Sequence, residues 1–135
     1  MFKIIPYKLA ICLTLALLVF AFVFHFLILV QVIPYKITWG GKLKTLEEMY
    51  QFESVSIFLN GMFIWIVAMK ADIFKAFAST RYLNYFLFAM AILFSINTVG
   101  NLFAEKSIET FVGTPITCML AVFCSRIASE KSQNK

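Results

Sequence analysis

Hydrophobic positions in this chain come in long blocks separated by short polar segments, with apolar runs at about 8–33, 50–69, 82–103 and 111–128. A helix that crosses a bilayer needs about 20 predominantly apolar residues, so each block is predicted to be one membrane-spanning helix. A start signal refines the second. Thr45-Leu46-Glu47-Glu48 is a capping-box pattern, in which the Thr45 hydroxyl accepts from the backbone N–H three residues on while Glu48 reaches back. The predicted helices therefore cover about 8–33, 46–69, 82–103 and 108–128. With short connections they form a single all-α domain, an integral membrane four-helix up-and-down bundle.

Composition points the same way. Of 135 residues, 61% are hydrophobic and 14% charged, against roughly a quarter charged in soluble domains. Mean hydropathy is +0.87. Lys3 and Lys8 precede the first block as in a secretory signal, but a signal's apolar core is about 7 to 15 residues and ends at a small-x-small cleavage site. This block is longer and has no such site, so it is expected to remain as the first spanning helix.

The basic residues set an expected orientation, because cytoplasmic flanks are enriched in Lys and Arg. Lys3, Lys8, Lys70, Lys75, Arg81, Arg126, Lys131 and Lys135 fall on one side; Lys36, Lys42, Lys44 and Lys106 on the other are offset by Glu47, Glu48, Glu105 and Glu109. Both termini are thus expected in the cytoplasm, and the net charge of +5 is mostly this topological signal. No nucleic-acid partner is implied, since basic residues are not interleaved with aromatics on a soluble face. The three cysteines, Cys12, Cys118 and Cys124, form no CxxC pair and no metal-ligand spacing with the single histidine, and read as small packing residues. No cofactor is implied.

Polar residues inside the apolar blocks are not scattered. Glu53, Ser56 and Asn60 share one face of the second helix, which is apolar from Met62 onward. His25 and Gln31 lie in the later part of the first helix, Asn97 and Asn101 in the later part of the third, and Thr110, Gly113, Thr114 and Thr117 in the earlier part of the fourth. In an up-and-down bundle all of these fall in the extracytoplasmic half. His25 and Gln31 are about 120° apart on a helix, so at most one of them faces the cluster. Pro115 should kink or break the fourth helix, leaving helix N–H groups and freed carbonyls at the polar layer. In the long first connection, Gly40-Gly41 signals a turn, and Trp39 beside Tyr35 is the aromatic pair of a membrane interface.

A charged side chain near the bilayer centre costs at least about 2.5–3.5 kcal/mol on insertion scales, so Glu53 should face the interior, lie near the interface, or be protonated. Amide and hydroxyl residues also serve as helix–helix glue at about 0.6 kcal/mol per contact, which is the competing structural role for Asn97, Asn101, Thr114 and Thr117.

Two segments, PYKITWGGKLKTLEEMYQFESVSIFLN and INTVGNLFAEKSIETFVGTPIT, resemble recurring blocks of a group of small bacterial four-helix integral membrane proteins. The resemblance implies a bacterial cytoplasmic (inner) membrane location and an up-and-down topology, and carries over no substrate, cofactor or catalytic residue. The chain is also similar to the sterol-isomerase and sigma-2-receptor type of four-helix membrane protein in placing an acid, Glu53, near the start of its second helix. Small multidrug transporters keep their carboxylate in the first helix, where this chain has His25.

The expected function is a polar pocket in the extracytoplasmic half that binds a small or lipid-like ligand. Glu53 is its charged anchor or proton acceptor, Asn60, Asn97 and Asn101 orient the ligand, His25 and Thr114 belong to the same layer, and Trp39 covers the mouth. A second expectation is a non-catalytic assembly subunit, in which the same polar faces are mutually hydrogen-bonded in helix packing or a homo-oligomer. Enzyme action on a lipid ranks third, as no nucleophile, base and orienting group can be read together.

Overall fold

A computed structural model describes residues 4–104 and 109–130. Lys3, Glu105, Lys106, Ile108, Lys131 and Lys135, used above for orientation and for the start of the fourth helix, lie outside the described residues. Four helices make up the fold: α1 (Tyr7–Leu29), α2 (Leu46–Lys70), α3 (Thr80–Leu102) and α4 (Thr114–Ala128), and no strand occurs among the described residues. With the turn that precedes α4 counted in, each is long and apolar enough to cross a membrane.

Polar contacts give the topology directly. Tyr7, at the start of α1, donates its hydroxyl to the carbonyl of Lys70 at the end of α2 (3.0 Å). Lys70 Nζ donates in turn to Asn84 Oδ1 at the start of α3 (2.7 Å), and Asn84 Nδ2 reaches the Glu130 carbonyl just past α4 (3.4 Å). Starts lie beside ends throughout, which is an up-and-down bundle. The helices pack α1 on α2, α3 on α4 and α1 on α4, while the α2–α3 side is sparsely packed.

The packing seams explain which residues turn inward. Along α1 the buried residues are Ala10, Thr14, Leu18 and Ile28; along α2 they include Met49, Glu53, Phe63, Val67 and Lys70. Spacings of three and four residues, with one gap of ten in each helix, follow one stripe of each helix. Along α3 the stripe is Leu83, Leu87, Met90 and Phe94, and along α4 it is Leu120, Cys124 and Ile127. His25 continues the α1 stripe, three residues before Ile28. Asn60 continues that of α2, three before Phe63, and Thr117 that of α4, three before Leu120. Outside the seams, Phe58, Trp65, Phe86, Ile92 and Ile96 are all more than half exposed. Such a girdle of exposed apolar side chains suits hydrocarbon and not water.

Helix ends depart from expectation in informative ways. The capping box forms at α2 as predicted, with Thr45 Oγ1 accepting from Glu48 N (3.2 Å) and Glu48 reaching back to Thr45 N. The first helix stops at Leu29 and not near residue 33. Gln31 takes a left-handed φ of 62°, Val32 N bonds to Leu27 O (2.9 Å) and Gln31 N to Ile28 O (2.9 Å), which is a Schellman ending. Pro34 then disfavours helix at Ile33. The same ending closes α2, with Asp72 at φ 59° and bonds from Ile73 N to Ala68 O and Asp72 N to Met69 O. Neither ending carries the glycine that would have announced it. At Pro115 the chain does not break: Glu109–Gly113 forms a π turn that passes into α4, with Pro115 in the first α turn. A proline lacks the N–H of an interior helical bond, and one wide turn ahead of it absorbs the mismatch. Of the cysteines, only Cys124 is buried; Cys12 and Cys118 sit on the outer surface, so the packing role read for all three holds for one.

Candidate functional site

The first connection folds over the α1–α2 end as two short 3-10 turns, Tyr35–Ile37 and Trp39–Gly41. Trp39, Gly40 and Gly41 all have left-handed φ (54°, 63° and 70°). Glycines adopt this without penalty, but a side chain there costs roughly 1–2 kcal/mol. The strain at Trp39 is matched by what its side chain gains: the indole Nε1–H donates to Glu53 Oε1 at 2.6 Å. Thr38 beside it is buried, its hydroxyl donating to the Tyr35 carbonyl (2.8 Å), and fixes the turn from inside.

Glu53 is fully buried, with 0% exposure. Its other oxygen, Oε2, lies 2.6 Å from His25 Nδ1 across the α1–α2 interface. Both carboxylate oxygens are therefore engaged, one by a loop indole and one by a helix imidazole. Short, charge-assisted bonds of this kind offset the desolvation of a buried carboxylate. The His25 ring packs between Phe24 (centroids 6.0 Å apart) and Trp39 (6.4 Å), and Trp39 rests on Phe52 (5.0 Å). Gln31, the alternative to His25, has left the helix and bonds Tyr50 at the surface (3.0 Å), so only His25 faces the cluster.

Beyond this triad the four seams enclose a cavity of about 360 Å³. His25, Trp39, Asn60, Asn97, Asn101 and Thr117 contribute its polar lining, and Phe20, Phe24, Leu59, Phe63, Leu93 and Phe94 are among its apolar walls. Asn60 Nδ2 is bonded to the Ser56 carbonyl one turn back (2.9 Å), which leaves its carbonyl oxygen for the cavity. Val55 and Asn97 line the cavity and are also exposed, so it is open on the thinly packed α2–α3 side. Glu53 is not on the wall: it stands behind His25 and Trp39.

The α3–α4 contribution is different in kind. Thr117 Oγ1 lies 2.9 Å from the Gly113 carbonyl and 2.9 Å from Thr98 Oγ1, with Asn101 Nδ2 at a long 3.5 Å. Thr110 Oγ1 bonds the Ala104 carbonyl at the end of α3 (2.9 Å). These groups close a seam, with the Thr117 hydroxyl bonding back one turn to the Gly113 carbonyl as helical threonines do. Thr114 is placed beside the cavity and not on its wall, with its hydroxyl buried and unpartnered among the described residues. Thr98 and Thr38 were not read from the sequence as part of this layer. Thr98 lies three residues before Asn101 on the same helical face, and that spacing was the available signal.

Among the described residues no three His, Cys, Asp or Glu side chains meet to hold a metal ion. No family model matches this chain, and comparison with curated proteins and with solved structures gives no match.

Proposed function

We propose that this is a small polytopic protein of the bacterial cytoplasmic membrane, with both termini cytoplasmic, whose extracytoplasmic half binds a small or lipid-like ligand in the cavity bounded by the Glu53 triad. The observation that carries the reading is the coexistence of a fully buried carboxylate with an adjoining cavity of about 360 Å³. That volume lies within the range of roughly 300–1,000 Å³ typical of small-molecule pockets, and mainly apolar walls with a few convergent polar groups are their usual lining. An amphiphile fits it: a polar head toward His25, Asn60 and Asn97, an apolar body against Phe20, Phe63 and Phe94. The thin α2–α3 side gives it a lateral way in from the bilayer.

The assembly reading predicts polar groups bonded to one another with no cavity. Thr98, Asn101 and Thr117 behave that way, as glue between α3 and α4. His25 is bonded to Glu53 through one ring nitrogen only and still lines the cavity, as do Asn60, whose side chain bonds only within its own helix, and Asn97; these three are what favours a ligand.

Trp39 supplies the test. With Trp65→Phe it becomes the sole tryptophan, and a membrane-soluble quencher such as 10-bromodecan-1-ol titrated into the reconstituted protein should quench it saturably. Ala21→Phe, which fills the cavity from α1, should weaken that quenching at least tenfold. Quenching that rises linearly with quencher and ignores Ala21→Phe would sink the ligand reading.

A further inference from the structure

We infer that His25, and not Glu53, is the group that meets the ligand, and that Glu53 and Trp39 act together to hold its ring in the tautomer whose Nε2 is a bare acceptor, selecting a neutral hydroxyl-bearing amphiphile. The inference rests on the ligand reading above and deepens it. Three observations lead to it. Glu53 has 0% exposure, and each of its oxygens is already taken at 2.6 Å, one by Trp39 and one by His25. His25 lines the cavity, and its Nε2 has no hydrogen-bond partner among the described residues. No Lys, Arg, Asp, Glu or Tyr lies on the cavity wall.

An indole N–H can only donate, so Oε1 must accept. With the carboxylate ionised, Oε2 also accepts, and the facing Nδ1 carries the ring proton. The hydrogen bond made by one ring nitrogen decides the state of the other. Nε2 is then left as a lone pair on a cavity wall that carries no Lys or Arg side chain. Such a wall offers an anionic head no cationic side chain to pair with, and offers an ether or ester oxygen no donor at this nitrogen. A hydroxyl, donating to Nε2, matches it, and the free Asn60 carbonyl oxygen is a second acceptor.

Trp39 makes the arrangement testable through a nearly isosteric change. In Glu53→Gln only the amide oxygen can accept from the indole, so the amide NH2 is forced toward His25 Nδ1. Nδ1 must then accept, and the ring proton moves to Nε2. The variant keeps both hydrogen bonds and the shape, yet inverts what His25 shows the cavity.

His25 is the chain's single histidine, so nitrogen NMR of protein labelled with 15N-histidine reports one ring. The wild-type ring should carry its proton on Nδ1 alone, and the Glu53→Gln ring on Nε2. In competition with 10-bromodecan-1-ol, decan-1-ol should bind wild type about tenfold more tightly than 1-methoxynonane, which has the same number of heavy atoms and no hydroxyl. The ratio should fall to about one in Glu53→Gln. A wild-type ring protonated at Nε2, alone or together with Nδ1, overturns the inference, and so does an alcohol-to-ether ratio that Glu53→Gln leaves unchanged. Absence of saturable quenching by any probe overturns the ligand reading instead, while the NMR measurement, which needs no ligand, still decides the tautomer.

Discussion

The two ends of the bundle both bury charge, and they do so to different ends. At the end where α1 begins and α4 finishes, Lys70 and Arg126 are less than a tenth exposed. Arg126 donates to the Ile5 carbonyl (2.8 Å) and to Glu130 (2.7 Å), and Lys70 donates to Asn84. These are ties that hold helix ends together around an apolar core that includes Leu18, Val67, Leu87, Leu120 and Ile127. At the opposite end the same seams carry His25, Glu53, Asn60 and Thr117, and there the core gives way to a cavity. The lesson is that a buried ion is not by itself a site. What marks one is a buried ion whose partner still has an unpaired face directed into open space.

The largest effect should come from breaking the pair at the cavity end. His25→Leu leaves a fully buried carboxylate with one donor and should cost about 3–5 kcal/mol in reversible unfolding in mixed micelles. The double change His25→Leu with Glu53→Met should recover much of that loss, since replacing both partners with apolar groups removes the stranded charge. Arg126→Met at the other end should cost only about 1–2 kcal/mol, because Glu130 remains partly hydrated when released. Equal losses for His25→Leu and Arg126→Met would erase the distinction drawn here.

Packing offers an intermediate contrast on one helix. Ala10 is 0% exposed in the apolar core, whereas Ala21 lines the cavity. Ala10→Phe should destabilise by about 1–3 kcal/mol or more through overpacking. Ala21→Phe should stay within about 0.5 kcal/mol. A thermal-unfolding series in detergent that ranks them the other way would show that the cavity is not real space.

The smallest effect compares the two Schellman endings. Gln31 and Asp72 occupy equivalent left-handed positions, at φ 62° and 59°. Glycine relieves the strain in both, but Asp tolerates this conformation better than Gln because its short side chain bonds locally. Gln31→Gly should therefore stabilise by about 0.5–1 kcal/mol and Asp72→Gly by less, read as melting-temperature shifts on the same material.

How much of this was legible beforehand follows from where lipid and core lie. Because helices in this chain are apolar toward both the core and the outer girdle, hydrophobicity reports that Tyr7–Leu29 or Thr80–Leu102 is a membrane-length helix and says nothing about which side faces in. Only the polar residues break the symmetry, which is why the spacing of Glu53, Ser56 and Asn60 located the α2 seam correctly. The ties at Lys70, Asn84 and Arg126 went unread because flanking charges look the same whether they point into solvent or fold back into the bundle. The early end of α1 was unread because Gln31 stands where a glycine would have signalled it.

The sequence by itself determined four membrane-length helices, the capped start of α2 at Leu46 and the gathering of polar residues toward one end, since length, capping and depth depend only on local pattern. Tertiary structure alone decided that His25 and not Gln31 meets Glu53, that Trp39 takes a left-handed turn to reach the same carboxylate, and that Thr117 closes a seam while Asn97 faces a cavity. Those outcomes depend on where a second helix or a loop lies, a distance of a few ångströms that no periodicity along one helix can specify.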